Sequence, residues 1–198
     1  MNQIAILKLH EKPWLWAFLG AACVWLATIL FTGGQGAGQI LSAALSFGTF
    51  SVIVGIGQMY VITLGPGNVD LSIPATMTFA GVVSMKIIDT QNSMIFTGLL
   101  IALACGTVVG IFNYGLIRLL RIPPIIATLS SSFLVQSSAI AYGRGLKIKP
   151  PPLLADFTTT KILGVPLLAI CVMGLAVIMS FVLHRTVYGK SVLAIGQN

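Results

Sequence analysis

The side chains that could do chemistry in this sequence are few, and their spacing keeps them apart. His10 and His184 stand near opposite ends of the chain, and Asp70, Asp89 and Asp156 fall in three separate segments. Metal-assisted hydrolysis needs clustered ligands, and acid–base work needs facing groups. No H-E-x-x-H, paired carboxylate or G-x-S-x-G is present. Gly189-Lys190-Ser191 looks like the end of a phosphate-binding loop, but that pattern requires a glycine at position 184, where His184 stands. Cys23, Cys105 and Cys171 lie far apart within apolar runs, so they read as small packed side chains, not a disulfide or metal framework. The sequence assigns no catalytic residue and no metal ligand, and an enzyme is not expected. No cofactor is expected either.

What stands out instead is a charge in an awkward place. Asp70 is the only charged residue between Lys12 and Lys86, and it sits in Gly65-Pro66-Gly67-Asn68-Val69-Asp70-Leu71-Ser72-Ile73-Pro74. Two glycines and two prolines cannot lie in one undisturbed helix. A carboxylate at the centre of a helix in lipid costs roughly 2.5–3.5 kcal/mol on insertion scales. Backbone that leaves a helix at membrane depth needs protein or water around it. The stretch is thus either a turn at the membrane surface or a break inside a bundle, with Gly65, Pro66, Gly67, Asp70 and Ser72 as its joint. Asp70 is placed to cap the helix that follows.

The elements around that joint follow from composition. Of 198 residues 57% are hydrophobic and only 8% charged, against about 25% charged in soluble domains, and mean hydropathy is +1.00. Most of the surface must face lipid. The expected fold is all-α: one polytopic transmembrane helical bundle over residues 1–198, of about six spans with one broken junction. Apolar runs place the spans near Trp14–Phe31, Ile40–Leu64, Leu71–Met85, Met94–Ile117, Pro124–Tyr142 and Val165–Leu183. The first run follows Lys8 and Lys12 as a signal peptide would. At 18 residues it exceeds the roughly 7–15 of such a segment, so it reads as an uncleaved span. Residues Gly143–Gly164, with Pro150-Pro151-Pro152, read as an ordered surface loop.

Two spans carry patterns of their own. Ala102, Gly106 and Gly110 make a ridge of small residues that suits close helix approach, within the bundle or with a second copy. Thr128, Ser131, Ser132, Ser138 and Tyr142 fall on one helical stripe. Such a stripe can wall a route for a polar solute, although small hydroxyls bonding back to their own helix account for the same pattern.

The excess of basic residues, net charge +7, comes from scarce acids and not from a basic patch, so nucleic acid is not an expected partner. With the N-terminus inside, Lys8, Lys12, Arg118, Arg121, Arg185 and Lys190 are cytoplasmic. Lys86, Arg144, Lys147, Lys149 and Lys161 are then outside, six against five. The flanks of the first span add to this bias toward a cytoplasmic N-terminus.

Four segments, in order, resemble one family. Gly57 to Tyr60-Val61-Ile62 and Gly65 through Asp70-Leu71-Ser72 are similar to the "GGIDLSVG" segment of ribose-type (sugar and autoinducer-2) ATP-binding cassette permeases. Asn113-Tyr114-Gly115-Leu116-Ile117 with Pro123-Pro124-Ile125-Ile126-Ala127-Thr128-Leu129 resembles "NGLLV … PPFIATL". Arg144-Gly145 matches an "RG", and Thr186-Val187-Tyr188-Gly189-Lys190-Ser191-Val192-Leu193-Ala194-Ile195-Gly196-Gln197-Asn198 resembles "T-x-YGR-x-VYAIGGN".

The resemblance implies a permease subunit of an ATP-driven importer for a sugar-like solute, in a bacterial inner membrane. It also implies a second permease subunit, cytoplasmic ATPase subunits and an extracytoplasmic solute-binding protein as partners. Tyr188, Gly189, Lys190, Val192, Leu193 and Ile195 would couple to the ATPase through the apolar side of a short helix. Pro74 stands where the family has glycine, and family members are roughly half as long again, so the chain reads as a truncated or partial permease. Two alternatives stay open: a secondary transporter or channel using Asp70 for a proton or cation, and a non-transporting subunit.

Overall fold

The computed structural model describes residues 12–145 and 149–197. Lys8, His10, Lys147 and Asn198 lie outside the described residues. The elements are helices α1 (Pro13–Phe31), α2 (Ala37–Ile62), α3 (Ile73–Ile88), α4 (Ile95–Arg118), α5 (Pro124–Gly143), α6 (Pro152–Thr159), α7 (Leu167–Arg185) and α8 (Val187–Gly196). One 3-10 turn, Asn92–Met94, leads into α4. A two-residue antiparallel ladder, Lys161–Ile162 with Val165–Pro166, is the only sheet among the described residues. Its turn places Leu163 at φ +51° and Gly164 at φ +82°, the doubly left-handed geometry that tight hairpins favour. The hydrophilic segment Gly143–Gly164, expected as an ordered surface loop, carries a short helix and the first strand and turn of this hairpin.

Five helices are long and apolar enough to cross a membrane among the described residues: α1, α2, α4 with its preceding 3-10 turn, α5 and α7. The remaining expected span, α3, is shorter than these five and shifted from its expected bounds. It begins at Ile73, not Leu71, and its 16 residues make about 24 Å of helix. The two prolines of the joint explain the shift. Pro74 sits in the first turn, where its missing N–H costs nothing, so the helix cannot start much earlier. At the far end Asp89 adopts a left-handed conformation, φ +40°, and its N–H caps Met85.

The chain divides into two compact units, with the boundary between Phe47 and Gly48 inside α2. In the first unit α1 leaves its side chains facing outward, with Trp14, Trp16, Phe18, Leu30 and Phe31 all exposed. The Trp25 indole donates to the Ala37 carbonyl at 3.3 Å, tying α1 to the start of α2. Large apolar side chains on the outside are what a lipid-facing surface requires.

In the second unit α3 is the central element and packs on both α4 and α5. Gly98 of α4 lies against the buried Ile88, where a β-carbon would collide with that side chain. The core is thin and made of small residues: Ala75, Val109, Ala127, Ala139, Ala169 and Val172. Buried hydroxyls and one amide, Ser72, Ser84, Asn113, Thr128 and Ser131, share it. Exposed Leu103, Val108, Ile111, Phe133, Val177 and Phe181 form the outside. Small side chains inside and large ones outside is the pattern of helices that associate by close backbone approach within lipid.

Candidate functional site

The broken joint between α2 and α3 is where polar groups converge. Gly65 (φ +127°) and Gly67 (φ +83°) hold conformations that side-chain-bearing residues rarely adopt, which lets the chain double back between the helices. Gln58, one turn before the end of α2, brackets the Asp70 peptide. Its amide nitrogen donates to the Asp70 carbonyl, and its oxygen accepts the Asp70 N–H at 3.3 Å. Asp70 Oδ1 accepts the Ser72 N–H at 2.8 Å and the Ser72 hydroxyl at 2.6 Å. The carboxylate therefore serves the residue just ahead of the helix, as an Asx-turn does, and not an amide within α3. Ser72 Oγ in turn accepts from Asn113 Nδ2 at 2.7 Å, reaching α4.

Thr128 of α5 closes the same knot from the other side. Its hydroxyl accepts the Leu71 N–H at 3.1 Å and donates to Pro124 at 2.8 Å. Ser131 is fully buried below it and donates to the Thr128 carbonyl at 3.1 Å. Five side chains, Gln58, Asp70, Ser72, Asn113 and Thr128, thus tie α2, α4 and α5 to the broken segment that leads into α3. Protein groups thus satisfy part of the broken backbone, as is required wherever lipid surrounds such a segment.

The proposed stripe of α5 divides along its length. Thr128 reaches the joint, Ser131 is buried and bonds back to its own helix, Ser132 is half-buried, and Ser138 and Tyr142 are exposed. Ser138 donates back to Leu134 at 2.8 Å, and the Lys86 ammonium stands 4.0 Å from the centre of the Tyr142 ring. The far end of α5 still packs on α3, with Ala139 buried and Gly143 against Val82, so Ser138 and Tyr142 are exposed because they lie off that inner face. Asp89 and Asp156 lie away from the joint. Asn92 Oδ1 accepts the Leu153 N–H at 3.1 Å, which pins the loop helix α6 to the α3–α4 turn.

The C-terminal segment folds as α8, begun by a true cap. Thr186 Oγ1 accepts the Gly189 N–H at 3.1 Å, and the same hydroxyl donates to Val182. Gly189, seen in the sequence as part of a phosphate-loop look-alike, is the capped third residue of this helix. The two faces of α8 differ. Gly189, Val192, Leu193 and Gly196 turn inward, Val192 being 8% exposed, while Val187, Tyr188, Lys190 and Ile195 face out, Ile195 at 62%. The expectation that Val192, Leu193 and Ile195 form one docking side is therefore corrected: Val192 packs into the chain's own core, and Ile195 does not. Helical spacing explains it, because positions 189, 192 and 196 fall on one face while 188 and 195 fall on the other.

That inward face reaches the joint. A β-carbon at Gly189 would overlap the Val182 and Leu183 carbonyls, and one at Gly196 would overlap the carbonyl of Thr63, just before Gly65. The Tyr60 hydroxyl donates to Met179 of α7 at 2.8 Å, and its ring lies 6.3 Å from that of Tyr188. His184 is exposed at the end of α7, with Nδ1 2.8 Å from the Ser180 carbonyl. Sequence reasoning gave no role to Gln58, Thr63, Asn113 or Gly196. Gln58 and Asn113 carried the readable signal, as amides set deep inside apolar runs.

A polytopic helical membrane protein with a polar joint is the class defined so far, and comparison of sequences gives the family. Residues 40–198 match the family model described as the permease component of the branched-chain amino acid transport system, and the chain belongs to that family. It is similar to the autoinducer 2 import system permease protein LsrC of Enterobacter sp. (strain 638), 31% identical over 164 residues, covering 79% of this chain and 48% of the relative. It is also similar to the L-arabinose ABC transporter permease protein AraH of Azospirillum brasilense, 31% identical with 73% and 42% covered. The inner membrane ABC transporter permease protein YjfF of Escherichia coli (strain K12) is 27% identical, with 81% and 49% covered. The chain spans about half the length of these relatives. No solved structure matches it.

Proposed function

We propose that this chain is a transmembrane permease subunit of an ATP-driven importer for a sugar-like solute, residing in a bacterial inner membrane with its N-terminus in the cytoplasm. The observation that carries this reading is the family match, which runs unbroken from α2 through the joint to α8. The named relatives point to a small polyhydroxylated solute, since they serve autoinducer 2 and L-arabinose. ATP hydrolysis belongs to a separate cytoplasmic subunit in this scheme. A second permease subunit and an extracytoplasmic solute-binding protein complete the assembly.

The parts then take roles. The exposed face of α8, with Tyr188, Lys190 and Ile195, is the contact for the ATPase, and Val192 and Leu193 hold the helix to the body. The joint of Gly65, Pro66, Gly67, Asp70 and Ser72 receives α8 through the Gly196–Thr63 contact. Ser132, Ser138 and Tyr142, on the outer part of the α5 stripe, are candidates for the wall of the solute route, while Thr128 and Ser131 anchor the joint.

The energy source tests the proposal. Uptake of labelled L-arabinose by cells carrying the complete transport system should collapse on ATP depletion and survive an uncoupler while ATP is maintained. Uptake that follows the proton gradient and ignores ATP depletion would indicate a secondary carrier instead.

A further inference from the structure

Beside the joint, between α3 and α4, lies a cleft of about 280 Å³ walled by Met77, Ala80, Ala102, Gly106, Val109 and Gly110, with Asp70, Ser72 and Asn113 at its polar end. The small-residue ridge of α4 thus opens a space instead of closing a helix contact. Asn113 is 5% exposed, and its Oδ1 is a buried oxygen with no hydrogen-bond partner. The neighbouring bonds fix which amide atom is left over. The Ser72 proton goes to the Asp70 carboxylate, so Ser72 Oγ must accept from Asn113, and only the amide nitrogen can donate.

The polar end consequently presents acceptors. Ser72 spends its hydroxyl proton on Asp70, and Thr76 spends its own on the Ser72 carbonyl at 2.9 Å. Asp70 adds a negative charge, and no ion pair to it forms among the described residues. A buried, unpartnered carbonyl oxygen beside an unpaired carboxylate is costly unless something donates to it or neutralises the charge. An anion is repelled, and a single carboxylate with neutral oxygens is a poor match for a divalent ion.

We propose that this cleft is a monovalent-cation site, with Asp70 and Asn113 Oδ1 as its protein ligands. The remaining coordination is water, for which the cleft has room at about 30 Å³ each. The ion neutralises Asp70 and satisfies Asn113 without entering the transport stoichiometry. Its existence does not depend on the importer reading, because the ligands belong to the fold of the joint.

The test uses the whole 198-residue chain purified in detergent. Its thermal midpoint is measured in chloride salts of sodium, potassium and choline at equal ionic strength, and sodium binding is followed directly by broadening of the ²³Na resonance. The site predicts a saturable rise of the midpoint with sodium or potassium over choline, as expected of a ligand that binds only the folded state. It also predicts ²³Na broadening that potassium reverses. Asp70→Asn, which can keep both bonds to Ser72, should fold and lose the cation response, and Asn113→Leu should weaken it. Equal midpoints in all three salts with no ²³Na broadening would overturn the site and leave the cleft to water. A response undiminished in Asp70→Asn would overturn it as well, whatever the fate of the Asn113 variant.

Discussion

At the scale of the residue, Asp70 is a bonding hub, and its two bonds set what substitution does. Asparagine offers an oxygen in the same place, so Asp70→Asn should unfold within about 1 kcal/mol of the parent and keep transport within a few-fold. Alanine leaves the Ser72 N–H and hydroxyl without their acceptor, and Asp70→Ala should lose roughly 1–3 kcal/mol of stability. Thermal unfolding of the pair in one detergent separates the cases, and loss of all transport in a well-inserted Asp70→Asn chain would assign the charge itself an essential part. The oddity of Asp70 was plain in the sequence, because no other charge lies within 58 residues on one side or 16 on the other, from Lys12 to Lys86. Its partners were not. Gln58, Asn113 and Thr128 come from three helices, and only the packing of those helices decides which amide or hydroxyl meets which peptide.

At the scale of the element, α8 divides its labour by face, and substitutions on the two faces should behave differently. Val192→Asp buries an unpaired charge and should destabilise the chain by several kcal/mol. Ile195→Asp lies in the open and should leave the unfolding midpoint nearly unchanged while weakening attachment of an ATPase subunit. Gly196→Ala forces a methyl group against the Thr63 carbonyl, a backbone contact that cannot swing aside. Displacement of α8 should then show as faster tryptic cleavage at Lys190, with little effect from Gly174→Ala, where a β-carbon meets open space. Val192, Leu193 and Ile195 make a short helix legible in the sequence, but not which way each of them faces. An apolar residue on a short helix can serve either the chain's own core or a partner. Val192 and Ile195 differ only in what their positions around the helix happen to face.

At the scale of the whole molecule, the run lengths of apolar residues were enough to read an all-α membrane protein, and all five long helices begin or end within two residues of the expected runs at one boundary or both. The limits of the short α3 are set by proline at its start and a left-handed Asp89 at its end, not by hydropathy. A cytoplasmic N-terminus predicts that maleimide reaches a cysteine placed at Lys161 from the periplasmic side of spheroplasts, and one at Lys190 only after the membrane is opened. The opposite labelling would invert the orientation. The account rests most heavily on α8 as the handle by which a separate ATPase drives this permease. Affinity purification of the tagged chain from membranes of its own host, with ATP hydrolysis measured in the eluate, addresses this directly. The account predicts ATPase activity that accompanies the parent chain and is lost with a folded Ile195→Asp variant. An eluate from the parent without ATPase activity, or equal activity from the Ile195→Asp chain, would contradict it.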